Sequence, residues 1–275
     1  MTANPRAFGV PSLMSRFFLG LGILLSMLLV GCASGPNANP RDPFEPFNRG
    51  VYKFNDAVDT AVLIPVATAY RDVTPAPVRH GVGNFFANLE DAWSVVNNVL
   101  QFKGQAAIES FFRFGVNTLI GLGGVLDVAT EMNIEKHTKD FGHTLGFWGV
   151  APGPYLVLPL LGPSSLRDTV ALPVDMKGDL VTHIEHVPTR NAASVVRVID
   201  RRSELLKATK MLEEVALDKY TFTRDAYFQR RRNAIYDGNP PDEDPAEQLP
   251  EQNIAQPPSG ALNNTGPAVN EKAKP

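Results

Sequence analysis

The chain has 275 residues, 44% of them hydrophobic, and its 26 lysines and arginines against 29 acidic residues give a formal net charge of -3. That length supports one sizeable domain with appendages, and the near-neutral charge excludes a strongly basic surface of the kind nucleic acid selects. A single cysteine excludes an intrachain disulfide and a cysteine-built metal cage, and in an exported chain it calls for a role of its own.

The segment before that cysteine has the order of an export signal. Arg16 precedes an apolar run from Phe17 to Val30, and small residues follow at Gly31-Cys32. The run is shorter than the about 20 residues a spanning helix needs. A lone cysteine after Leu29-Val30-Gly31 resembles the bacterial lipoprotein box, in which the thiol is acylated and the new amino terminus is blocked. The plainer alternative is an ordinary cleaved signal that leaves a free thiol. Residues 1–31 are therefore read as a lipoprotein signal peptide and Cys32 as the lipid anchor. Each buried methylene contributes about 0.8 kcal/mol, so more than one acyl chain makes the attachment stable. Ala33-Ser34 follows instead of an aspartate, which resembles cargo passed on to the outer membrane.

Residues 33–41 (ASGPNANPR) are small, polar and turn-forming, and read as a flexible tether. Residues 42–237 form the core domain. Residues 238–275 are rich in Pro, Asn, Gln and acids and cannot bury enough apolar surface to offset ordering entropy, so they read as a disordered tail.

The core reads as mainly helical. Phe85, Phe86, Leu89, Trp93, Val96, Val99 and Leu100 recur at helical spacing, with Asn88, Glu90, Asp91 and Asn98 between them. Val195, Val196, Ile199, Leu205, Leu206, Leu212 and Val215 form a second such stripe. The expected destination of both stripes is a packed core. Strand signals are sparse, and there is no series of alternating segments of about ten residues to suggest a transmembrane barrel.

Two apolar stretches are unusual. Phe114 to Leu126 (FGVNTLIGLGGVL) carries no charge and is too short to cross a bilayer; its length fits a re-entrant or interfacial segment, or a buried helix. Thr144 to Leu166 has no ionisable side chain apart from Tyr155, but its glycines and prolines forbid a continuous helix. Irregular backbone survives at membrane depth only when buried in protein or lining a wet cavity. The stretch therefore predicts a lining or an interface, the alternative being a loop packed across a soluble core.

Catalytic signatures are missing. Ser164 and Ser165 lack the flanking glycines of a nucleophile elbow, no phosphate-cradling Gly-rich loop occurs, and the glycines at 121–124 do not complete a dinucleotide fingerprint. His183 and His186 could share a helix face but lack further ligands, and nothing fixes His137, Asp140 and His143 as an acid–base set. The expectation is a non-enzyme with no metal and no cofactor. Arg224 and Arg230 to Arg232 are interleaved with Tyr220, Phe222, Tyr227 and Phe228, which fits either a membrane interface or a solvated helix end.

Several motifs now fall in one order. Asp42-Pro43-Phe44-Glu45-Pro46-Phe47-Asn48-Arg49 precedes Tyr52, Phe54 and Asn55; Arg113-Phe114 precedes Asn117, Gly121, Gly124 and Asp127. Asp140-Phe141-Gly142 then leads through Thr144-Leu145-Gly146, Gly149, Gly153-Pro154-Tyr155 and Leu158-Pro159 to Arg167-Asp168, and RDAYFQR at 224–230 closes the set. Together they resemble the MlaA (VacJ) lipoprotein family from about Asp42 to Arg231. The resemblance implies a mainly α, ring-like helical bundle with irregular Gly/Pro-rich loops, lying in the inner leaflet of the outer membrane, lipid-anchored and facing the periplasm. It implies removal of mislocalised phospholipids from the outer leaflet through an amphipathic channel, association with a trimeric porin, and hand-over to the periplasmic carrier MlaC. A porin-associated or envelope-scaffolding lipoprotein that moves no lipid is the alternative, and a lipid hydrolase ranks behind it.

On that resemblance Phe47, Asn48, Phe54, Asn55, Arg113, Asn117, Gly121, Gly124, Asp127, Gly142, Gly146, Gly149, Pro154, Tyr155, Pro159, Gly162, Arg167 and Asp168 are channel or packing elements. Phe114 to Leu126 and Tyr155 to Leu161 are expected to supply apolar wall or membrane contact. Arg113, Arg167 and Asp168 are expected at polar edges, with an internal ion-pair network as the competing reading. Arg224, Tyr227 and Arg230 are expected at the interface or a partner contact.

Overall fold

The computed structural model describes residues 39–242, so the signal segment, Cys32, most of the tether and the tail beyond Asp242 lie outside the described residues. Helix α1 (Glu45–Val58) runs through a π-helical turn (Asp59–Leu63) into α2 (Ile64–Val73). Pro65 is the cause of the wide turn: it has no N–H to give, and its ring collides with a carbonyl of the preceding turn. The chain accommodates it by letting Ile64 N–H bond to Asp59 O, five residues back. Helix α3 (Ala76–Leu100) starts on Pro75 and Pro77, where a missing N–H does no harm. Arg79 reaches back to the carbonyls of Arg71 and Thr74 at the end of α2, at 2.8 and 2.5 Å.

Then come α4 (Gly104–Leu119), the short α5 (Val128–Glu131) and α6 (Phe141–Phe147). A hairpin of β1 (Tyr155–Leu158) and β2 (Gly162–Ser165) follows, in antiparallel register Tyr155↔Ser165 to Leu158↔Gly162. Ser165 caps α7 (Leu166–Gly178), a 3-10 turn (Leu180–His183) leads to the long α8 (Val187–Val215), and α9 (Lys219–Ile235) ends the fold. The α3–α4 pair is the most extensive helix contact, followed by α2 against α8.

The hairpin corrects the expectation of wholly irregular backbone after Thr144, and α1 explains how so short a sheet persists. Asn48 donates its amide to Tyr155 O (2.9 Å) and accepts from Val157 N (3.0 Å). Asn55, two helical turns on, donates to Leu158 O (2.9 Å) and accepts from Leu160 N (2.8 Å). Each carboxamide thus stands in for a neighbouring strand, satisfying backbone groups on the open edge of β1. Phe47 and Phe54, each one residue earlier, are carried to the exposed side of the same helix.

The two apolar stripes are the main correction. On α3 the buried residues are Gly81, Phe86, Asn88, Asp91, Ser94, Asn97 and Asn98, whereas Phe85, Val96 and Val99 are exposed. On α8 the buried residues are Asp200 and Ser203, whereas Val195, Val196, Leu205 and Val215 face out. Periodicity locates a face but does not say which side of it is the inside; here the polar side packs. The apolar core of the described residues is small, with Tyr155, Val157, Tyr220 and Tyr227 packed against Val51, Tyr52 and Phe228.

A carboxamide that completes a sheet edge should be costly to lose. Asn48→Leu leaves Tyr155 O and Val157 N–H buried without partners, and is expected to destabilise the folded protein by about 2–4 kcal/mol. Phe47→Ala, one residue away and exposed, is expected to cost under about 0.5 kcal/mol. Chemical denaturation of both variants in the same detergent checks the contrast.

Candidate functional site

The interior is a set of polar clasps. Arg113, buried on α4, donates both Nη2 hydrogens to Asp127 (2.9 and 3.0 Å), Nη1 to Ile134 O (2.6 Å) and Nε to Asp91 (3.4 Å). Asn117, one turn later, donates to Asp127 Oδ1 (2.9 Å) and accepts from Ala129 N (2.8 Å). These two side chains close the loop after α4 onto α5. Asn88 of α3 donates to Thr118 (2.8 Å), and Gly124, at φ +95°, sits directly on the Asn88 side chain, where a Cβ would be 2.6 Å from Nδ2. Gly121 likewise lies against the backbone of Asn117 and Leu126. Further along α3, Asn97 accepts from Thr144 (2.8 Å), Gln101 donates to the same hydroxyl (3.0 Å), and Asn98 donates to Ser110 (3.2 Å) and His137 O (3.1 Å).

A second clasp joins α6, α7 and α9. Arg231 bridges Asp140 (2.5 Å) and Asp168 (2.9 Å), Arg167 Nε donates to Asp168 (2.8 Å), and the Tyr227 hydroxyl donates to the same carboxylate. The Asp140 carboxylate also caps α6 through His143 N at 2.7 Å. Gly142 and Gly146 make room for the cations. A Cβ at Gly142 would lie 2.5 Å from Asp168 Oδ1 and collide with Arg231 Nη2, and one at Gly146 would lie 2.7 Å from Arg167 Nη1. Burial pushes the Asp140 carboxyl up, but His143 and Arg231 outweigh it and hold the group well below the ordinary carboxylate range. Burial likewise opposes ionisation of Asp168, and Arg231, with Arg167 and Tyr227, brings it below its ordinary value.

A third clasp fixes the chain ends of the fold. Buried Asp42 accepts from Asn48 (2.8 Å), Tyr220 (2.5 Å) and Arg224 (3.4 Å). Lys103 and Lys139 both reach Asp237, and they also bond Ile235 O and Ala234 O at the C-terminal end of α9, where cations suit the helix dipole.

Several expected roles change accordingly. Arg113, Arg167 and Asp168 do not lie at polar edges; they belong to the internal network, because each has a buried partner that water would otherwise have to replace. Arg224 and Tyr227 do not face an interface either, being held inside by Asp42 and Asp168, whereas Arg230 is exposed. Tyr155 and Val157 are core and not wall, while the hairpin tip after Pro159 exposes Leu160 (69%) and Leu161 (66%), with Gly162 at φ +83° closing the turn. Pro154 O accepts Leu166 N, tying the start of the hairpin to α7, and Gly149 ends α6 at φ +87°. In the stretch from Phe114 to Leu126, the first part completes α4 and the turn beyond it exposes Leu119 (85%), Ile120 and Leu122 (73%). The interfacial reading of that segment fits its exposure; the buried-helix reading does not. The clasp roles of Asp42, Asp140 and Arg231 and the Lys103–Lys139–Asp237 set were not legible in the sequence: the first two appear only as charges inside motifs and Arg231 only in a basic cluster, and the lysines lie 134 and 98 positions from Asp237.

At the surface, Glu109, Glu135 and His137 bring ligand atoms within 4.8 Å of one another, an arrangement exposed acidic groups often adopt without an ion. The surface also carries large apolar side chains: Phe47, Phe54, Phe102, Ile108, Phe111 and Phe112 are exposed in addition to the two tips above. No helix among the described residues is long and apolar enough to cross a membrane. Chemically, the clasps hold polar groups inward, and large apolar side chains remain at the surface.

Comparison with known proteins agrees with this geometry. A family model described as MlaA lipoprotein matches residues 40–234. The intermembrane phospholipid transport system lipoprotein MlaA of Escherichia coli (strain K12) is 39% identical over 209 residues, covering 74% of this chain and 82% of that protein. Its namesake in Haemophilus influenzae is 31% identical over 226 residues, covering 78% and 89%. A solved structure, described as bearing on the structural basis for maintenance of bacterial outer membrane lipid asymmetry, superposes with a TM-score of 0.63 at 37% identity, covering 72% of this chain and 99% of its own.

The Arg231 clasp sets a pH signature. With folded pKa values below the unfolded ones, Asp140 and Asp168 contribute stability that is present above about pH 4 and lost only as pH falls through the depressed folded values. Arg231→Met takes the shared guanidinium from both carboxylates, leaving Asp140 with His143 and Asp168 with Arg167 and Tyr227, and is expected to cost about 3–5 kcal/mol at neutral pH. Without that cation the folded pKa values of both carboxyls rise, so the deficit relative to wild type should narrow as pH falls. Melting curves of the two proteins across pH 4.5 to 7.5 read the narrowing.

Proposed function

The chain belongs to the MlaA lipoprotein family, whose characterised members are intermembrane phospholipid transport lipoproteins of the outer membrane, and we propose how its structure performs that work. The protein is a transport lipoprotein and not an enzyme. It sits at the inner leaflet of the outer membrane, held by acylated Cys32 and by its own apolar surface. It takes phospholipids misplaced in the outer leaflet and passes them to a soluble periplasmic carrier of the MlaC kind, beside a trimeric porin.

The observation that carries this reading is the reversal of the usual burial pattern. A soluble domain hides its large apolar side chains and shows its polar ones. Here Asn48, Asn88, Asp91, Asn97, Asn98 and Gln101 are among the most buried side chains, and Phe102, Leu119, Leu122, Leu160 and Leu161 among the exposed. That pattern suits a solvent of acyl chains. A phospholipid headgroup is costly to drag through hydrocarbon because its charges and hydrogen-bonding groups lose water. A protein that offers the head a polar path while the tails stay in apolar surroundings lowers that barrier without making or breaking a bond.

In a reconstituted assay, vesicle phospholipid is expected to reach the soluble carrier only when the acylated protein is present, with no fatty acid released. Retention at the membrane without transfer would favour the scaffolding alternative, and released fatty acid a hydrolase. Leu119→Glu with Leu122→Glu should leave the melting temperature within about 3 °C and weaken vesicle binding of the Cys32→Ala form by at least tenfold, each buried leucine contributing about 1.5–3 kcal/mol. Flotation on a density gradient measures it.

A further inference from the structure

Two concavities open on one face of α3. The larger, about 550 Å³, is a groove lined by Val78, Val82, Phe85, Phe86, Val125 and Val196, with no hydrogen-bonding side chain in its wall. The smaller, about 290 Å³, has Trp93, Val96 and Leu180 as apolar lining and Lys177 and His183 as its cationic or donor groups. We propose that the two form a single phospholipid-binding track, with the phosphodiester held by Lys177 and His183 and an acyl chain lying in the groove. This rests on the transport reading above and adds where on the chain a lipid is held.

The smaller cavity has the chemistry of an anion site with an apolar floor. Gly178 lies flat on the Trp93 ring, where a Cβ could not fit, so backbone and indole close one side. The acids around it are already engaged. Asp175 accepts from Trp93 Nε1 (2.8 Å) and Phe141 N (2.7 Å), and Asp179 accepts from Val181 N (3.0 Å) and pairs with Arg197 (2.6 Å). No carboxylate among the described residues forms an ion pair with Lys177, which is exposed. His183 donates Nδ1–H to Asp179 O (3.1 Å), so it holds a phosphodiester oxygen through Nε2 only with a proton on both ring nitrogens, the form a bound anion favours. An anion near a helix C-terminus would meet repulsive carbonyls, but here Asp175 O is taken by Asp179 N and Met176 O by the Thr182 hydroxyl.

The spacing ties the two cavities to one molecule. Val82, Phe86, Trp93 and Val96 follow each other at i, i+4, i+11 and i+14, which keeps them on a single side of the helix. The centres of the two lining sets are about twelve residues apart along α3, or about 18 Å at 1.5 Å per residue. One leaflet's hydrocarbon is about 15 Å deep, half of a core of about 30 Å. Head in one cavity and chain in the other therefore fits a single extended lipid. The Arg197 guanidinium, paired with Asp179, lies 5.8 Å over the Phe86 ring and so ties the acid beside the smaller cavity to the groove. A free phosphate ion shares the headgroup chemistry but has no use for the groove.

The test uses the full acylated protein in detergent and phosphatidylglycerol carrying a photoreactive diazirine midway along one chain. Crosslinks are expected on the groove, at positions 77–86, 125 and 196. Lys177→Glu with His183→Ala should weaken binding at least fivefold, Lys177→Arg should restore it, and Val196→Trp should abolish the groove crosslinks. Circular dichroism identifies folded variants, and Lys177→Gln replaces the charge reversal if that variant does not fold. Crosslinks elsewhere, or unchanged binding in the folded double variant, overturn the track. Displacement of the lipid by millimolar inorganic phosphate also overturns it, by making the smaller cavity a free-anion site. Transport is judged separately: wild type that moves lipid beside a double variant with unaltered binding removes the track alone, whereas wild type that crosslinks at the groove but moves no lipid keeps the track and removes transport.

Discussion

A polar group that turns toward hydrocarbon finds no water there, so each one must be answered from within the protein. That requirement accounts for most of what is unusual in this fold. It explains why Asn48 and Asn55 complete the edge of a two-stranded sheet that has no third strand, and why Arg113 spends its hydrogen bonds on Asp127, Asp91 and a backbone carbonyl. It also explains why the last turn of α9 is met by two lysines. Buried ion pairs are weak sources of net stability, since desolvation offsets much of their attraction. Their value here lies in the alternative, an uncompensated charge or amide facing acyl chains. The clasps fix geometry, and the small aromatic cluster around Tyr155 is the part that resembles an ordinary core.

Much of this was legible in the residues, and the misreadings have one cause. Helices were visible because apolar side chains repeat at helical spacing, whereas the proline-broken stretch after Thr144 showed only that no continuous helix could form and not that a hairpin would. What spacing could not supply was the sign of the amphipathic face. On α4, Ala107, Ser110, Arg113 and Asn117 form one stripe and Ile108, Phe111, Phe112 and Leu119 another, and both have the same period. In water the second stripe packs; at a lipid surface the first does. The export signal and lone cysteine point to a membrane, and at a membrane Phe85, Val96 and Val195 belong on the outside, where they are exposed. The composition of the opposite face held the correction, because Asn88, Asp91, Ser94, Asn97 and Asn98 are too many hydrogen-bonding groups for a surface with nothing to bind.

The signature motifs changed meaning in the same way. As strings they mark a family; as structure they are mostly fasteners. Gly142 is small because the Arg231 guanidinium and Asp168 crowd α6, Gly146 because Ile235 and the Arg167 guanidinium do, and Asp127 and Asn117 belong together because one closes the loop that the other anchors. Pairings such as Asp140 with Arg231 span 91 positions, and no local pattern reveals a contact at that range. The basic cluster on α9 illustrates the cost: read as a patch, it suggested headgroup contact, yet Arg224 and Arg231 point inward to acids supplied by the start and the middle of the chain.

This construction bears on energetics as well as shape. A protein built from fixed internal clasps and an apolar exterior can lower the barrier for a headgroup, and it lowers that barrier equally in both directions. The sequence carries no phosphate-cradling loop, and the buried charges of the clasps are committed to one another. Net flow must then follow the free-energy difference of the lipid on either side, set by whatever supplies it and whatever takes it away. The exposed tips at Leu119–Leu122 and Leu160–Leu161 turn apolar side chains outward while their backbones stay hydrogen-bonded, Leu160 N to Asn55 and Ile120 N to Val116 O.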